Sequence, residues 1–270
     1  MRMGAVLLVL LAVAAPCAAD SFPVGDVFRP LVADPAEPRS FVSILKLDTA
    51  VDRFTVAAVG YGANFGLRRW PGERPGEGWQ TGIFGTVFSQ FNLSESSDDL
   101  INSDFVVGVP LTFKRGAFSA RARLWHQSSH LGDELILGGR APLRIDLSLE
   151  VLDGLLAWER GDWRAYGGGY YVVRHSAEMK RTGVHAGVDY AGRSAVLAGG
   201  RLVGGVDVKW FDETDWHSGV SAKIGLEFGR PAPERRGLTV LLEIYEGFAP
   251  FGQFARNLVN YYGAGLQFDF

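Results

Sequence analysis

A histidine stands two residues ahead of a serine in His126-Gln127-Ser128, inside the stretch Arg123-Leu124-Trp125-His126-Gln127-Ser128-Ser129-His130-Leu131-Gly132-Asp133-Glu134. Two of the chain's five histidines fall here, with two serines and an acidic pair. A neutral imidazole beside a hydroxyl can take its proton and leave a nucleophile. The i, i+2 spacing suits that chemistry in an extended strand, where both side chains point to one face. A carboxylate would orient the imidazole, and Asp133 or Glu134, in the connection that follows, could fold back onto His126. His130, Asp133 and Glu134 are also types that bind a divalent cation, although no ligand spacing here is diagnostic. The same cluster equally suits a strand end at a membrane–water interface, where Trp125 would sit naturally.

What must position these residues is a run of strands. From Ser40 onward, alternating segments are broken by turn residues. Strands are predicted near 40–48, 53–69, 78–92, 104–113, 117–130, 142–158, 163–174, 182–190, 194–210, 216–228, 237–247 and 258–270. That is an all-β chain, and about twelve antiparallel strands is an even number, as bacterial outer-membrane barrels require. In the 117–130 strand, Ser119, Arg121, Arg123, Trp125 and Gln127 form one set and Phe118, Ala120, Ala122, Leu124, His126 and Ser128 the other. His126 and Ser128 therefore belong to the apolar, lipid-facing set, at the outer end of the strand. In the next strand, Leu143, Ile145, Leu147, Leu149 and Val151 alternate with Arg144, Asp146, Ser148 and Glu150. The charged set is expected to line the lumen opposite Arg121 and Arg123. The connections alternate short (114–116, 159–162, 191–193) and long (93–103, 131–141, 175–180, 248–257), the pattern of periplasmic turns and outer loops. Connections 49–52 and 229–236 depart from it. At about twelve strands the lumen is narrow, so a plugged or poorly conducting barrel is expected.

The beginning of the chain, MRMGAVLLVLLAVAAPCAAD, has a basic start, an apolar run and a small-residue exit, the layout of a secretory signal peptide over residues 1–19. The apolar run is too short for a membrane-spanning helix. Cys17 is the only cysteine, so a chain cut after Ala19 would have no disulfide or thiolate metal site. Net charge is −3 with no basic stripe, which argues against nucleic acid as a partner. Residues 20–39 carry four prolines and little periodicity, and read as a periplasmic lead-in segment or a plug ahead of a barrel over 40–270.

Three resemblances bear on function. The chain ends Leu266-Gln267-Phe268-Asp269-Phe270, which resembles the C-terminal signal of bacterial outer-membrane barrels. It implies that the barrel-assembly machinery is a partner through Phe270. His126-Gln127-Ser128 resembles the His-x-Ser that outer-membrane phospholipase A and the lipid A deacylase carry on the lipid-facing wall at the outer leaflet, with His126 as base and Ser128 as nucleophile. That resemblance implies lipid or lipopolysaccharide as substrate and allows calcium (Ca2+) near the oxyanion. Two departures stand out. An Asn follows the Ser in those families, where this chain has Ser129. They also take a third polar residue from the next strand, and at the matching spacing this chain has Arg140, which cannot accept from an imidazole. Asp146 is nearby, but its parity assigns it to the lumen. Finally, Phe28-Arg-Pro-Leu-Val-Ala-Asp-Pro-Ala-Glu-Pro-Arg39 followed by His126-Gln-Ser-Ser-His-Leu-Gly-Asp-Glu134 resembles a bacterial family of exported barrels with no assigned function.

His175 and His217 each directly precede a serine, and adjacent strand residues point to opposite faces, so neither forms a dyad. His185 lies within a strand and reads as structural. Asp212, Glu213 and Asp215 make an acidic outer loop, either solvated or bridged to lipopolysaccharide through divalent cations. Two functions follow from these residues: a lipid acyl-ester hydrolase, or a non-enzymatic structural or weakly permeable barrel. A soluble periplasmic β domain is a third option.

Overall fold

The computed structural model describes residues 19–138, 147–229 and 237–269. Predicted features at 1–18, at Arg140 and Asp146, and at Phe270 lie outside them. A two-residue strand β1 (Asp20–Ser21) leads into β2 (Ser40–Thr49), β3 (Arg53–Pro71), β4 (Gly78–Asn92), β5 (Asp99–Arg115) and β6 (Phe118–Leu131). A short helix α1 (Asp133–Leu137) follows, then β7 (Leu147–Arg160), β8 (Trp163–His175), β9 (Thr182–Leu197), β10 (Gly200–Phe211), β11 (Ser218–Gly229), β12 (Gly237–Phe248) and β13 (Leu258–Asp269). Each strand from β2 to β13 pairs antiparallel with its neighbours in sequence, and β13 pairs back onto β2. The result is a closed twelve-stranded barrel, which leaves no open sheet edge.

Local sequence explains the hairpins at one end. Gly116, Gly161 and Gly199 have φ of 59°, 63° and 80° in the two-residue connections β5–β6, β7–β8 and β9–β10. Two-residue hairpins need this left-handed backbone, which glycine adopts without a steric cost. This turn end also holds both ends of the described barrel, Ser40 and Asp269. Most of the longer described connections, including 93–98 and 249–257, lie at the opposite, loop end. The β9–β10 turn is at Ala198–Gly199 rather than at 191–193 as expected. Strand β9 continues through Gly192 because register shifts near Arg201 absorb the irregularity.

The outward face is apolar, with Leu124, Val107, Val109, Ile224, Leu242 and Ile244 all about half-exposed or more. Trp79, Trp158 and Trp163 stand on this face near the turn end, and Trp163 packs edge-on against Tyr190 at 4.9 Å. An apolar band bordered by tryptophans is what a bilayer requires of a barrel wall.

The lumen is filled from both sources of the chain. Residues 26–39 enter it as an internal plug. Its Phe28 and Leu31 pack with Leu155, Ala157 and Tyr166, and the Arg121 guanidinium lies 4.9 Å from the Phe28 ring centre. Ion pairs fix the plug to the wall: Glu37 to Arg121 at 2.7 Å and Asp34 to Lys209 at 2.5 Å. Arg164 donates to the Arg29 and Pro30 carbonyls. Burial alone would raise the Asp34 and Glu37 carboxyls, but the Lys209 ammonium and the Arg121 guanidinium hold them below the ordinary carboxylate range.

One expected orientation is reversed. In β7, Leu149, Val151 and Asp153 face the lumen, while Ser148, Glu150 and Leu152 face outward. Arg123 pairs with Asp153 rather than with Glu150. Beside β7 the loop half of the lumen is lined by apolar groups: Leu149 and Val151 pack there with Val172, Trp125, Tyr170 and Met179. Polarity therefore does not mark the inner face at this height. Trp125 also points inward, donating to Asp153 at 2.6 Å, and is not part of the lipid-facing belt.

Candidate functional site on the lipid-facing wall

His126 and Ser128 leave β6 on its outward face, as the alternation predicts, close to the loop end. Cross-strand register puts Glu150 of β7 directly opposite His126, and Ser148 directly opposite Ser128. The His126 Nδ1 atom lies 3.5 Å from Glu150 Oε1, with the two side chains 42% and 35% exposed. A carboxylate on Nδ1 leaves Nε2 for the hydroxyl side, the division of labour that an oriented base requires. Among the described residues the Ser128 hydroxyl makes no hydrogen bond, so a bond to His126 would require side-chain rotation. Catalytic hydrogen bonds commonly tighten only when substrate is bound.

The backbone under this site is anchored from inside. Ser129, the next residue, points into the lumen and donates to Asp104, which also accepts from Asn102 at 3.0 Å and from the Gly252 N–H at 2.9 Å. Gln253 donates to the Ser129 carbonyl at 2.9 Å. The 249–257 loop is thus tied to the strand that carries His126 and Ser128. The residue after the nucleophile candidate is structural.

Asp133 and Glu134 begin α1 and are exposed. The carboxylate that lies beside His126 is Glu150. The sequence pattern assigned Glu150 to the lumen, yet it carried the missing signal. Asp153 shares the parity of Leu149 and Val151, and a mid-strand aspartate on that face requires it to be the lumen face. His130 is outward and packs edge-on against Phe105 at 5.8 Å. His175 and His217 bond to loop carbonyls, at 2.5 and 2.8 Å. In the acidic loop, Asp212 and Asp215 pair with Lys180 and Glu213 pairs with Arg256, so its charge is largely neutralised.

The lumen holds a second polar cluster. Asp34, His185 and Asp207 are buried, with possible ligand atoms within 4.8 Å of one another. Each group is already engaged: His185 Nε2 with Asp207, His185 Nδ1 with the Tyr170 hydroxyl at 2.7 Å, and Asp34 with Lys209. The Lys209 ammonium already balances the Asp34 charge, and the cluster reads as a structural network joining plug to wall. Above it lies a cavity of about 250 Å³, with Pro35, Tyr170, Val172, Phe211 and Tyr245 among its lining residues.

Among solved structures the chain is similar to the outer membrane phospholipase A from Escherichia coli, with a TM-score of 0.58 at 14% identity over 90% of this chain and 95% of that one. It is equally similar to the Salmonella typhi outer membrane phospholipase, solved as a dimer with bound calcium, with a TM-score of 0.59 at 14% identity over 87% and 94% of the two chains. These likenesses establish an outer-membrane type of barrel fold. No curated protein matches the sequence. The family model described as "Protein of unknown function (DUF1207)" matches residues 9–270, and the chain belongs to that family.

Proposed function

We propose that this protein is an outer-membrane lipid acyl-ester hydrolase that works from the outside of its own wall. The observation that carries the reading is the outward grouping of Ser128, His126 and Glu150 on two paired strands at the loop end. Hydrocarbon offers no partner for polar groups, so a hydroxyl, an imidazole and a carboxylate gathered there call for a function or a polar lipid region.

In the proposed reaction, Ser128 Oγ attacks the acyl carbonyl carbon while His126 Nε2 takes the hydroxyl proton. The tetrahedral intermediate collapses, the bond between the acyl carbon and the alcohol oxygen breaks, and the alcohol leaves with the proton from His126. Water then attacks the acyl-enzyme with His126 again as base, releasing the fatty acid and restoring Ser128. Glu150 stabilises the imidazolium formed in each half. Both fold relatives are outer-membrane phospholipases, and at 14% identity they support the reading through the scaffold they share with this chain. The reading includes an outer-membrane location with the loop end outward, removal of residues 1–19, and assembly through the C-terminal strand.

The test is the lipid inventory of cells making wild-type or Ser128→Ala protein, measured by mass spectrometry. Lyso-phospholipid, or lipid A lacking an acyl chain, seen with wild type alone supports hydrolysis. Identical profiles, with both proteins folded in the membrane, reject it. They would favour a second reading, a non-enzymatic barrel, for which the paired plug and neutralised lumen speak.

A further inference from the structure

The outward row does not stop at Glu150. Strand β8 pairs with β7 so that Val151 faces Val172 but Glu150 faces Arg174, leaving Val173 as an extra, bulged residue. Val172 is buried in the lumen. By strict alternation Arg174 would also point inward. The bulge turns it outward instead, and its side chain is 82% exposed. Bulges re-aim side chains in this way and collect next to functional sites. His126, Glu150 and Arg174 thus form one lateral row on three adjacent strands, one residue short of the β8 end.

Glu150 pairs loosely with both of its neighbours in this row, and most of the Arg174 guanidinium stays exposed. Glu150 Oε1 faces His126, and its Oε2 is 3.9 Å from Arg174 Nε, beyond hydrogen-bond reach. Among the described residues the Arg174 guanidinium makes no hydrogen bond. A guanidinium on a lipid-facing wall needs an anionic oxygen at the polar boundary, and its planar fork fits a phosphate through two parallel N–H bonds. Strands lie about 4.8 Å apart, so the columns of His126 and Arg174 are about 10 Å apart along the wall. A glycerol or sugar spacer between a phosphate and an acyl ester, together with the reach of the arginine, covers that separation.

We infer that Arg174 is the phosphate anchor of the wall site, so that the site takes phosphate-bearing acyl lipids in preference to uncharged acyl esters. This rests on the hydrolase reading for its consequence, but lipid binding tests it separately. The turnover experiment compares kcat/KM for phosphatidylethanolamine, for diacylglycerol with the same acyl chains, and for phosphorylated lipid A, using wild type, Arg174→Gln and Arg174→Lys in mixed micelles. Arg174→Gln is expected to lower kcat/KM on a phosphorylated lipid about tenfold, mainly through KM, with diacylglycerol changed by less than about twofold and Arg174→Lys recovering part of the loss. Loss on the glycerophospholipid alone, or on lipid A alone, identifies the source of the phosphate. An equal fall on all substrates, or no change on any, overturns the anchor. The binding experiment measures retention of phosphatidylethanolamine and of diacylglycerol by native mass spectrometry in the Ser128→Ala protein with and without Arg174→Gln. If Ser128→Ala shows the hydrolase reading to be wrong, selective loss of retention in Arg174→Gln still supports the anchor, and equal retention overturns it.

Discussion

Replacing Glu150 by Gln removes one charge from the wall site and keeps the side chain's size. At the 3.5 Å contact, an imidazolium and a carboxylate attract by about 1.2 kcal/mol in water and about 4.7 kcal/mol at an effective dielectric of about 20. Both side chains are more than a third exposed, so screening pulls the value toward the lower bound, to about 2 kcal/mol. That attraction exists only once His126 has taken the proton, so it acts on the transition state and appears in kcat. At about 1.36 kcal/mol per tenfold, the expected loss is about 30-fold. The assay is initial-rate release of fatty acid from phospholipid in mixed micelles, with His126→Ala and Ser128→Ala as reference and with Asp133→Asn and Glu134→Gln as competing variants. The exposed α1 carboxylates are expected to leave kcat within about twofold. Wild-type kcat in Glu150→Gln, with a large loss in Asp133→Asn or Glu134→Gln, would refute Glu150 as the orienting group and return that role to the loop.

Three further outcomes test the scaffold. Glu37→Ala leaves the buried Arg121 guanidinium without its carboxylate, and breaking a buried pair from one side costs about 3–5 kcal/mol; urea unfolding monitored by tryptophan fluorescence should show it, Glu37→Ala/Arg121→Met should recover much of it, and a single-mutant change below about 0.5 kcal/mol would show that the plug is not held there. Because the Asp34 and Glu37 carboxyls sit below their ordinary range in the folded plug, the stability they give is fully present above the unfolded carboxylate values near pH 4 and is lost as pH falls through the folded ones; ion conductance in planar bilayers should stay flat between about pH 5 and 8 and rise only in stronger acid, and a rise near neutrality would contradict this. Leu242→Arg puts a charge on the outward face of β12 and should destabilise the protein in lipid vesicles by about 2–4 kcal/mol, whereas a neutral effect would mean that this face does not meet hydrocarbon.

The barrel was legible because alternation and glycine turns are local properties. Arg121 and Arg123 against Phe118 and Leu124 fix the faces of β6 without any neighbour, and with them the outward direction of His126 and Ser128. The lining of β7 was not legible in the same way. Leu149 and Val151 look lipid-facing, but the stretch of lumen they line is built from apolar groups, and only Asp153 breaks the ambiguity. Glu150 was lost with that reversal. The plug was half legible: four prolines ruled out a long strand, while the paired charges that hold residues 26–39 inside depend on contacts as far apart as Asp34 and Lys209. The bulge at Val173 leaves no mark in composition, since valine is an ordinary strand residue. Arg174 consequently carried no signal until the register of β7 and β8 was known.

The lumen contains the tighter histidine–carboxylate pair, and on hydrogen bonding alone His185 would be the better base. Access decides against it. The His185 side chain is fully buried, and both of its ring nitrogens are engaged, by Tyr170 and by Asp207. A base has to exchange a proton with a substrate, and a ring held on both sides by protein can do so only if the network opens. Opening it would expose Asp34 and Lys209 and loosen the plug they secure. His126 is the looser pair, yet it presents an accessible ring on the same face as Ser128, with Glu150 engaging one nitrogen and the other left for a substrate or hydroxyl. The same difference explains why the inner network stabilises and the outer one is suited to chemistry. Neutralised charges inside a barrel hold parts together, while a partly satisfied group at a lipid boundary keeps a free valence for the molecule that arrives there.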